Sequence, residues 1–347
     1  MSFGRDAGNL LDQNPGFGLR RRAGTRSGVH LIGSPAINLT TAHLERSHSG
    51  SHAWKAGECR VFVIHNPISG RRSGLLPKVL AQLEEMGCRI AVRETLRRGH
   101  AQELASQVPA SDYDRIVVSG GDGTINEVMN GLTPESPPVA IIPRGTANVL
   151  AAEIGLGDDA KEIARTIVNG EPRQISLGEI NGRKFSLMAG VGFDARVVAT
   201  VSPSLKRALG KGAYVIATLR QFLRGGIGRF RVLVDGTAYE AASVVVANAH
   251  YYGGKFVCAP EARLESPILQ VCLFERSSRI FVAIYALALL LGFLPRVPGF
   301  RILPATRIEI HQPHGAEIQS DGDFVGVTPA QVGITPRAVW LVFPRQG

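Results

Sequence analysis

The residues with the clearest chemical meaning are glycines grouped around one aspartate. Residues 119–127 read Ser-Gly-Gly-Asp-Gly-Thr-Ile-Asn-Glu and directly follow a short apolar segment. Because glycine has no Cβ, backbone N–H groups in such a turn can approach an anion closely, and a helix that starts there adds partial positive charge. We predict that Thr124 caps this helix. Asp122 would place a carboxylate beside bound phosphates, where it can hold Mg²⁺ or accept a proton.

Two further apolar segments end in polar turns of the same kind. The first runs into Asn-Pro-Ile-Ser-Gly at 66–70, and the second runs into Pro-Arg-Gly-Thr-Ala-Asn at 143–148. Asn, Ser and Gly are ordinary turn formers, so each turn alone indicates little. Three such turns after three strands of one parallel sheet, however, would lie at the edge where these sheets bind ligands. The sequence therefore favours a single nucleotide site built from all three turns.

The elements that must position these turns alternate between strand and helix. We predict strands near 60–65, 89–94, 115–119 and 138–143, and helices near 74–86, 100–107, 124–131 and 158–169. This alternation implies an α/β domain with a parallel sheet between helices. From about residue 173 short strands follow one another, interrupted by helical stretches at 203–225 and 279–294, which predicts an antiparallel β-sandwich domain.

We accordingly expect three parts of the chain. Residues 1–57 are rich in Gly, Ser, Arg and His and are interpreted as a disordered extension. Residues 58–172 form the nucleotide-binding α/β domain, and residues 173–347 form a β-rich domain. Whether the last residues return to the first domain is left open.

Composition narrows the class of protein. The four cysteines are scattered without a Cys-x-x-Cys pair, which argues against a disulfide scaffold or zinc site and suits a reducing cytoplasm. The net charge is +10, and residues 205–231 carry seven Lys or Arg and no acid, interleaved with apolar residues. This pattern favours a basic amphipathic helix on an anionic membrane surface. Without a nucleic-acid motif, and with only 6% aromatic residues, we expect no nucleic-acid partner.

The longest apolar run has the length of an interfacial or buried helix. Residues 280–294 contain fifteen consecutive uncharged, mostly apolar residues, fewer than the roughly 20 needed to span a bilayer. We therefore predict no transmembrane helix here.

The motifs, taken in order, resemble the diacylglycerol kinase catalytic-domain family, which includes bacterial soluble lipid kinases and the sphingosine and ceramide kinases. The resemblance covers about residues 59–347 and includes a Thr-x-x-x-Gly-His-Ala segment at 95–101 and Asp-Gly-Asp at 321–323. It implies a first domain similar to that of NAD kinases and a lipid-binding β-domain. It also implies an ATP- and Mg²⁺-dependent kinase that phosphorylates a hydroxyl of a membrane lipid, acting in phospholipid biosynthesis as a cytoplasmic, peripheral membrane protein; a homodimer is left open.

The resemblance also assigns residues. The implied nucleotide contacts are Asn66, Pro67, Ser69, Gly70, Thr95, Gly121, Asp122, Gly123, Thr124, Asn126, Glu127, Gly145, Thr146 and Asn148, with Asp122 reaching Mg²⁺ through ATP.

Two carboxylates compete for the role of general base. Asp323 stands where the family has a glutamate, and the resemblance assigns the proton-acceptor role to that glutamate. The aspartate side chain is shorter by one methylene. Asp122 is the alternative base. Asp321 is a third catalytic candidate, because two close carboxylates can bind a metal or raise one pKa towards that of a useful base.

The sequence departs from the family at two places. Ser266 and Pro267 stand where bacterial members have the Asp-Gly of a structural Mg²⁺ site, and the neighbouring Glu265 is a weak substitute ligand. Residues 148–151 read Asn-Val-Leu-Ala, which is more similar to the Asn-Ala-Leu-Ala of sphingosine and ceramide kinases than to the Asn-Asp that diacylglycerol kinases commonly have. The sequence therefore leaves the lipid unassigned, diacylglycerol-like or sphingoid.

Two other functions stay open at this point. An NAD kinase shares the Gly-Gly-Asp-Gly turn, and a regulator that binds lipid or nucleotide without catalysis is compatible with the departures at Ser266 and Asp323. The basic segment and the 280–294 run favour a lipid substrate over NAD.

Overall fold

The computed structural model describes residues 59–70, 74–192 and 229–345. The predicted extension at 1–57, the predicted helix at 203–225 and most of the basic segment 205–231 lie outside the described residues. Within the described ranges, buried apolar side chains form two clusters. One cluster fills the first domain and continues along one face of a sheet in the second domain. The other cluster lies between the two sheets of the β-sandwich.

The sheet of the first domain contains four parallel strands in the order β2-β1-β3-β4. The strands are β1 (Arg60–His65), β2 (Arg89–Glu94), β3 (Arg115–Gly120) and β4 (Val139–Pro143), and the helices are α1 (Leu75–Glu85), α2 (His100–Ser106), α3 (Asp122–Asn130), α4 (Val149–Glu153) and α5 (Ala160–Asn169). The apolar segments before the three polar turns are buried along almost their full length, because β1 and β3 are inner strands and β4 is flanked on both sides. The predicted parallel α/β domain is confirmed, and only the short α4 was not predicted.

The predicted capping role of Thr124 is wrong. Helix α3 begins at Asp122, and Gly121 occupies the N-cap position with extended backbone. Thr124 lies within the first turn, where its Oγ1 accepts a hydrogen bond from Asn66 Nδ2 at 2.9 Å. Gly121 at the cap lies close to Gly145, where a Cβ would be only 3.0 Å from the Gly145 Cα.

The second domain is an antiparallel β-sandwich. Its strands are β5 (Glu171–Ile180), β6 (Arg183–Phe185), β7 (Met188–Val191), β8 (Phe230–Val234), β9 (Thr237–Ala241), β10 (Ser243–Ala247), β11 (Tyr251–Tyr252), β12 (Phe256–Val257), β13 (Leu269–Phe274), β14 (Phe300–Ala305), β15 (Arg307–Gln312), β16 (Glu317–Ser320), β17 (Asp323–Val327) and β18 (Ala330–Phe343). Helix α6 (Arg279–Leu290) and a 3₁₀ turn (Leu294–Arg296) connect β13 to β14. One sheet has the order β14-β13-β10-β7-β16-β17. The predicted sandwich is confirmed.

The last strand joins the two domains. β18 pairs in parallel with β4 at Leu341 and Val139, and it pairs antiparallel with β5 and β15. The register of β18 against β5 shifts between Thr335 and Val339. Through these pairings, the parallel sheet of the first domain continues into one sheet of the sandwich, as a single ten-stranded sheet. Within the described residues, no helix is both long enough and apolar enough to cross a bilayer.

The four cysteines, scattered in sequence, lie as two pairs of free thiols. Cys59 and Cys88 directly precede β1 and β2, whose first residues are register partners. Cys272 on β13 lies with its sulfur 3.9 Å from the carbonyl oxygen of Cys258. Cys88, Cys258 and Cys272 are buried, and Cys59 is partly exposed.

We expect iodoacetamide to alkylate Cys59 before the other cysteines. The hydrogen bond from the Cys88 thiol lowers the pKa of Cys59 to about 7, while the same contact raises the pKa of Cys88. Because the thiolate is the nucleophile, labelling of Cys59 in the native protein should rise through neutral pH and level off above about pH 8. Peptide mapping by mass spectrometry between pH 6 and 9 measures this. In Cys88→Ala the midpoint should move up towards an ordinary thiol; an unchanged midpoint would contradict the assignment.

Candidate functional site

Three turns meet at the carboxyl edge of the parallel sheet. The first follows β1, the second follows β3 and opens α3, and the third follows β4 and leads into α4. A Cβ on Gly121 would lie 3.0 Å from the Cα of Gly145 and 3.5 Å from Ser69 Oγ, so each turn contributes one residue to a single contact. The structure thus brings together the three turns that the sequence placed at one edge.

The first turn rests on the backbone of the third. Gly70 has φ +82°, and a Cβ there would lie 1.4 Å from the carbonyl oxygen of Arg144. Asn66 ties the first turn to the second: its Oδ1 accepts from the N–H of Ile68, and its Nδ2 donates to Thr124. Pro67 is exposed at the top of this turn and Ser69 is half-buried. The first turn therefore contacts both of the other turns.

A buried cation lies beneath the turns, and sequence reasoning missed it. Arg144 is only 5% exposed, and its Nη1 lies 3.0 Å from Nδ1 of His65, which lies 3.2 Å from Ser119 Oγ. Burial, and then the charge of Arg144, lowers the pKa of His65, so the imidazole is neutral and can accept from the guanidinium. An arginine directly after an apolar strand was the available signal. It contributes positive potential under the glycine turns.

Two acidic side chains of α3 accept hydrogen bonds from the first turns of neighbouring helices. Asp122 Oδ1 accepts from the N–H of Leu150 at 3.2 Å, in the first turn of α4. Glu127 Oε2 accepts from the N–H of Ala101 at 3.3 Å, in the first turn of α2. Both carboxylates thereby lie at helix N-termini, where negative charge is stabilising. The predicted nucleotide contacts Asp122 and Glu127 therefore also fix the elements around the site.

Two predicted contacts carry buried polar atoms without a hydrogen-bond partner. These are Nδ2 of Asn126 and Oδ1 of Asn148. Leaving such an atom unsatisfied costs about 1–3 kcal/mol, a cost that a bound polar ligand can remove. Of the other predicted contacts, Thr95 is buried and donates its N–H to the carbonyl oxygen of His65, and Thr146 is exposed.

Asp321 is bound to the backbone of its own domain. It occupies a two-residue turn between β16 and β17, with φ +47° at Asp321 and +84° at Gly322. Its carboxylate accepts four hydrogen bonds, from the N–H groups of Ser186, Leu187 and Met188 and from the Ser186 hydroxyl. Removal from water raises the pKa of Asp321 to about 6, against the effect of these donors. At neutral pH it is therefore ionised and accepts all four bonds.

Asp323 faces the glycine turn from the second domain. Its Oδ2 lies 3.8 Å from the position that a Cβ on Gly123 would occupy, and 3.1 Å from Nη2 of Arg98. The Asp323 side chain is one-third exposed. Asp321, in contrast, accepts its hydrogen bonds from residues 186–188. The turn at Gly322 thus orients the carboxylates of Asp321 and Asp323 towards different partners. Arg98, between β2 and α2, is a further charged residue at the site that sequence reasoning missed.

Glu265 lies away from these turns. Its Oε1 is 3.3 Å from Nη1 of Arg173, and the neighbouring Ser266 accepts from the N–H of Ile268. Across the described ranges, no group of three or more His, Cys, Asp or Glu side chains is arranged to hold a metal ion. A cation at Glu265 would have to compete with Arg173, so this predicted ligand stays a prediction without support from the geometry.

Comparison with family models matches both domains. Residues 60–180 match the diacylglycerol kinase catalytic domain, and residues 188–343 match the YegS C-terminal NAD kinase beta sandwich-like domain. The two matched ranges contain all three turns and Asp122, Asp321 and Asp323 of the candidate site.

Relatives and solved structures agree with these matches over most of the chain. A diacylglycerol kinase of Bacillus subtilis is 28% identical over 295 residues, which is 83% of this chain and 97% of the relative. A diacylglycerol kinase of Mycobacterium tuberculosis is 27% identical over 299 residues, 83% of this chain and 96% of the relative. A crystal structure of a Bacillus anthracis diacylglycerol kinase, 24% identical, shares the fold with a TM-score of 0.67 over 82% of this chain and 96% of that one. The chain belongs to the diacylglycerol kinase catalytic-domain family and is a lipid kinase, a phosphotransferase.

Proposed function

We propose that this protein transfers the γ-phosphate of ATP to a hydroxyl of a membrane lipid. The observation that carries the proposal is the position of Asp323, which the β-domain presents against Gly123 in the first turn of α3. Phosphoryl transfer depends mainly on holding phosphates and acceptor in line and on offsetting charge. A carboxylate from one domain facing a glycine turn of the other meets this requirement.

The residues at the turns fit the phosphates of ATP. Gly121 and Gly145 approach too closely for side chains, which exposes backbone groups to an anion. The cation of Arg144 lies beneath the turns, and the unpartnered polar atoms of Asn126 and Asn148 are available to a ligand. Mg²⁺ bound with ATP would offset phosphate charge, and Asp122 is the residue that would hold it.

We assign the base role to Asp323. It is partly exposed, so a lipid hydroxyl can reach it, and its carboxylate can accept the hydroxyl proton during transfer. Asp122 already accepts from Leu150 N–H, which favours positioning over proton transfer. Because the relatives are named diacylglycerol kinases, a diacylglycerol-like lipid is the leading substrate, with a sphingoid base as the alternative suggested by Val149 after Asn148.

The test is transfer of labelled γ-phosphate from ATP, with Mg²⁺, to lipids in mixed micelles. The panel holds diacylglycerol, monoacylglycerol, sphingosine, ceramide and phosphatidylglycerol, with NAD in a parallel reaction. We expect label in one lipid, and a loss of about 10²–10⁴-fold in Asp323→Asn, the range that removal of a general base produces. Asp122→Asn should also abolish labelling.

Asp112→Asn provides the matched control. Asp112 is exposed and precedes β3 at its amino end, so the same chemical change is made at the opposite edge of the sheet. Its activity should equal that of the unmodified protein. Label in NAD would refute the lipid as acceptor, and absence of label in every acceptor would leave a binding protein without catalysis.

A further inference from the structure

Helix α6 presents an apolar face to solvent. Apart from Arg279 and the tyrosine at 285, its residues are all aliphatic or phenylalanine. Only Tyr285 and Ala288 are buried. The large exposed side chains are Ile280, Ile284, Leu287, Leu290 and Leu291, with Leu287 55% and Leu291 64% exposed. Positions 280, 284, 287 and 291 have the spacing of one helix face. We call this set the outer face of α6.

The inner side of the helix is firmly attached. Tyr285 packs edge-on against Phe274 with ring centroids 5.1 Å apart, and its hydroxyl donates to the carbonyl oxygen of Gly299 at 2.7 Å. Phe300 packs on the same ring of Phe274. These contacts fix the rotation of the helix about its axis. The exposure of the outer face is therefore imposed by the packing of the domain.

The surroundings of the outer face are positively charged. Residues 276–308 contain five arginines and no acidic residue. Two of the five, Arg301 and Arg307, pair with acids just outside this stretch. Arg276 and Arg279 lie at the start of α6, and Arg296 lies in the 3₁₀ turn beyond its end. An apolar stripe with cations at both ends complements an interface of acyl chains and anionic headgroups.

We propose that the outer face of α6 docks on an anionic phospholipid bilayer, with the helix axis in the plane of the interface. The proposal rests on the proposed function to the extent that a lipid acceptor brings the enzyme to a bilayer. At twelve residues the helix is about 18 Å long, too short to span but suited to lie at the headgroup boundary. A second copy of the chain is a poorer occupant, because symmetric pairing of this face would bring its flanking arginines together.

Contacts link the outer face to the candidate site. Helix α6 contacts β12, whose hairpin partner β11 contacts α4, the helix that starts directly after Asn148. Glu153 at the end of α4 lies 2.6 Å from Nδ1 of His250, directly before β11. Docking through α6 would therefore hold the third turn and its helix in a defined position relative to the bilayer.

The test is co-sedimentation of the full chain with vesicles in the absence of ATP. Vesicles of phosphatidylcholine alone are compared with vesicles that also contain phosphatidylglycerol. We expect tighter binding to the anionic vesicles, a decrease of about tenfold or more in Leu287→Glu, in line with the transfer free energy of one leucine, and a smaller decrease in Arg296→Gln that disappears at high salt. Met86→Glu is the control, because Met86 is a similarly apolar, exposed residue after α1 in the first domain.

Three outcomes would overturn the proposal: unchanged vesicle binding in Leu287→Glu, an equal loss in Met86→Glu, or a dimer in sedimentation equilibrium that Leu287→Glu dissociates while vesicle binding persists. Thermal melts of both variants establish that they fold. A micellar assay with short-chain lipid separates this proposal from the kinase reaction. Leu287→Glu should transfer phosphate normally there, whereas absence of transfer by the unmodified protein would refute the kinase function and leave the vesicle result standing.

Discussion

Replacing Asp321 by asparagine is expected to lower the free energy of unfolding by about 1–3 kcal/mol, the cost of leaving a buried donor without its acceptor. Each carboxylate oxygen accepts two hydrogen bonds, Oδ1 from the N–H groups of Leu187 and Met188, and Oδ2 from both groups of Ser186. The amide of asparagine has only one oxygen. If the NH₂ group takes the place of Oδ1, it faces the N–H groups of Leu187 and Met188, and both lose their acceptor. If it takes the place of Oδ2, the Ser186 hydroxyl can turn to accept from it, but the Ser186 N–H still loses its acceptor.

The Asp321→Asn substitution is also expected to lower the phosphotransfer activity. The turn that holds Asp321 also places Asp323 against Gly123, so a displaced turn should reduce phosphotransfer together with stability. Urea unfolding and the micellar assay measure the two effects. Asp323→Asn is the matched control: its ion pair with Arg98 is partly exposed, so its loss should change stability by no more than about 1 kcal/mol while activity falls. Equal stability of the two variants would contradict the anchoring role of Asp321.

Replacing Gly70 by alanine is expected to lower phosphotransfer about 100-fold, the effect of displacing a positioning group by about 1 Å. The added Cβ would lie 1.4 Å from the carbonyl oxygen of Arg144, closer than any non-bonded contact allows. The first turn must therefore move away from the third, which separates Ser69 from Gly121. Because this contact builds the proposed phosphate site, the loss should include a raised KM for ATP.

Gly87→Ala separates the clash from backbone strain. Gly87 follows α1 with φ +77°, close to the +82° of Gly70, but a Cβ there meets no atom within 4 Å. Both variants should lose about 1–2 kcal/mol of stability from the left-handed conformation. Only Gly70→Ala should change the dependence of rate on ATP. The same kinetic change in both variants, or none in either, would show that the contact between the turns is not needed.

The parallel sheet was predictable because its signal is local. Val61–Ile64, Ile116–Val118 and Val139–Ile142 are apolar runs of strand length, and each ends in a polar turn. Parallel strands place their carboxyl ends at one edge, so the grouping of the three turns followed from the pattern itself. The role of Thr124 was misjudged because its partner, Asn66, belongs to a different turn, 58 residues earlier in the chain.

The remaining features of the site depend on contacts between residues far apart in the chain. No local pattern relates His65 to Arg144, Arg98 to Asp323, or Asp321 to Ser186. The pairing of Cys59 with Cys88 likewise needs the register of β1 against β2. The sequence did identify Asp321 and Asp323 as candidates, but as neighbours that could share a metal or a proton.

By itself, the sequence determined the alternation of strands and helices in the first domain, the two-domain fold class and the three turns at one sheet edge, because periodicity and turn chemistry are properties of neighbouring residues. Only the tertiary structure decided that Asp321 is held by backbone donors while Asp323 faces the glycine turn, since side-chain direction in the turn at Gly322 depends on the strands that β16 and β17 pair with. It also decided which side of α6 is exposed, because the ring of Tyr285 fixes that helix against Phe274.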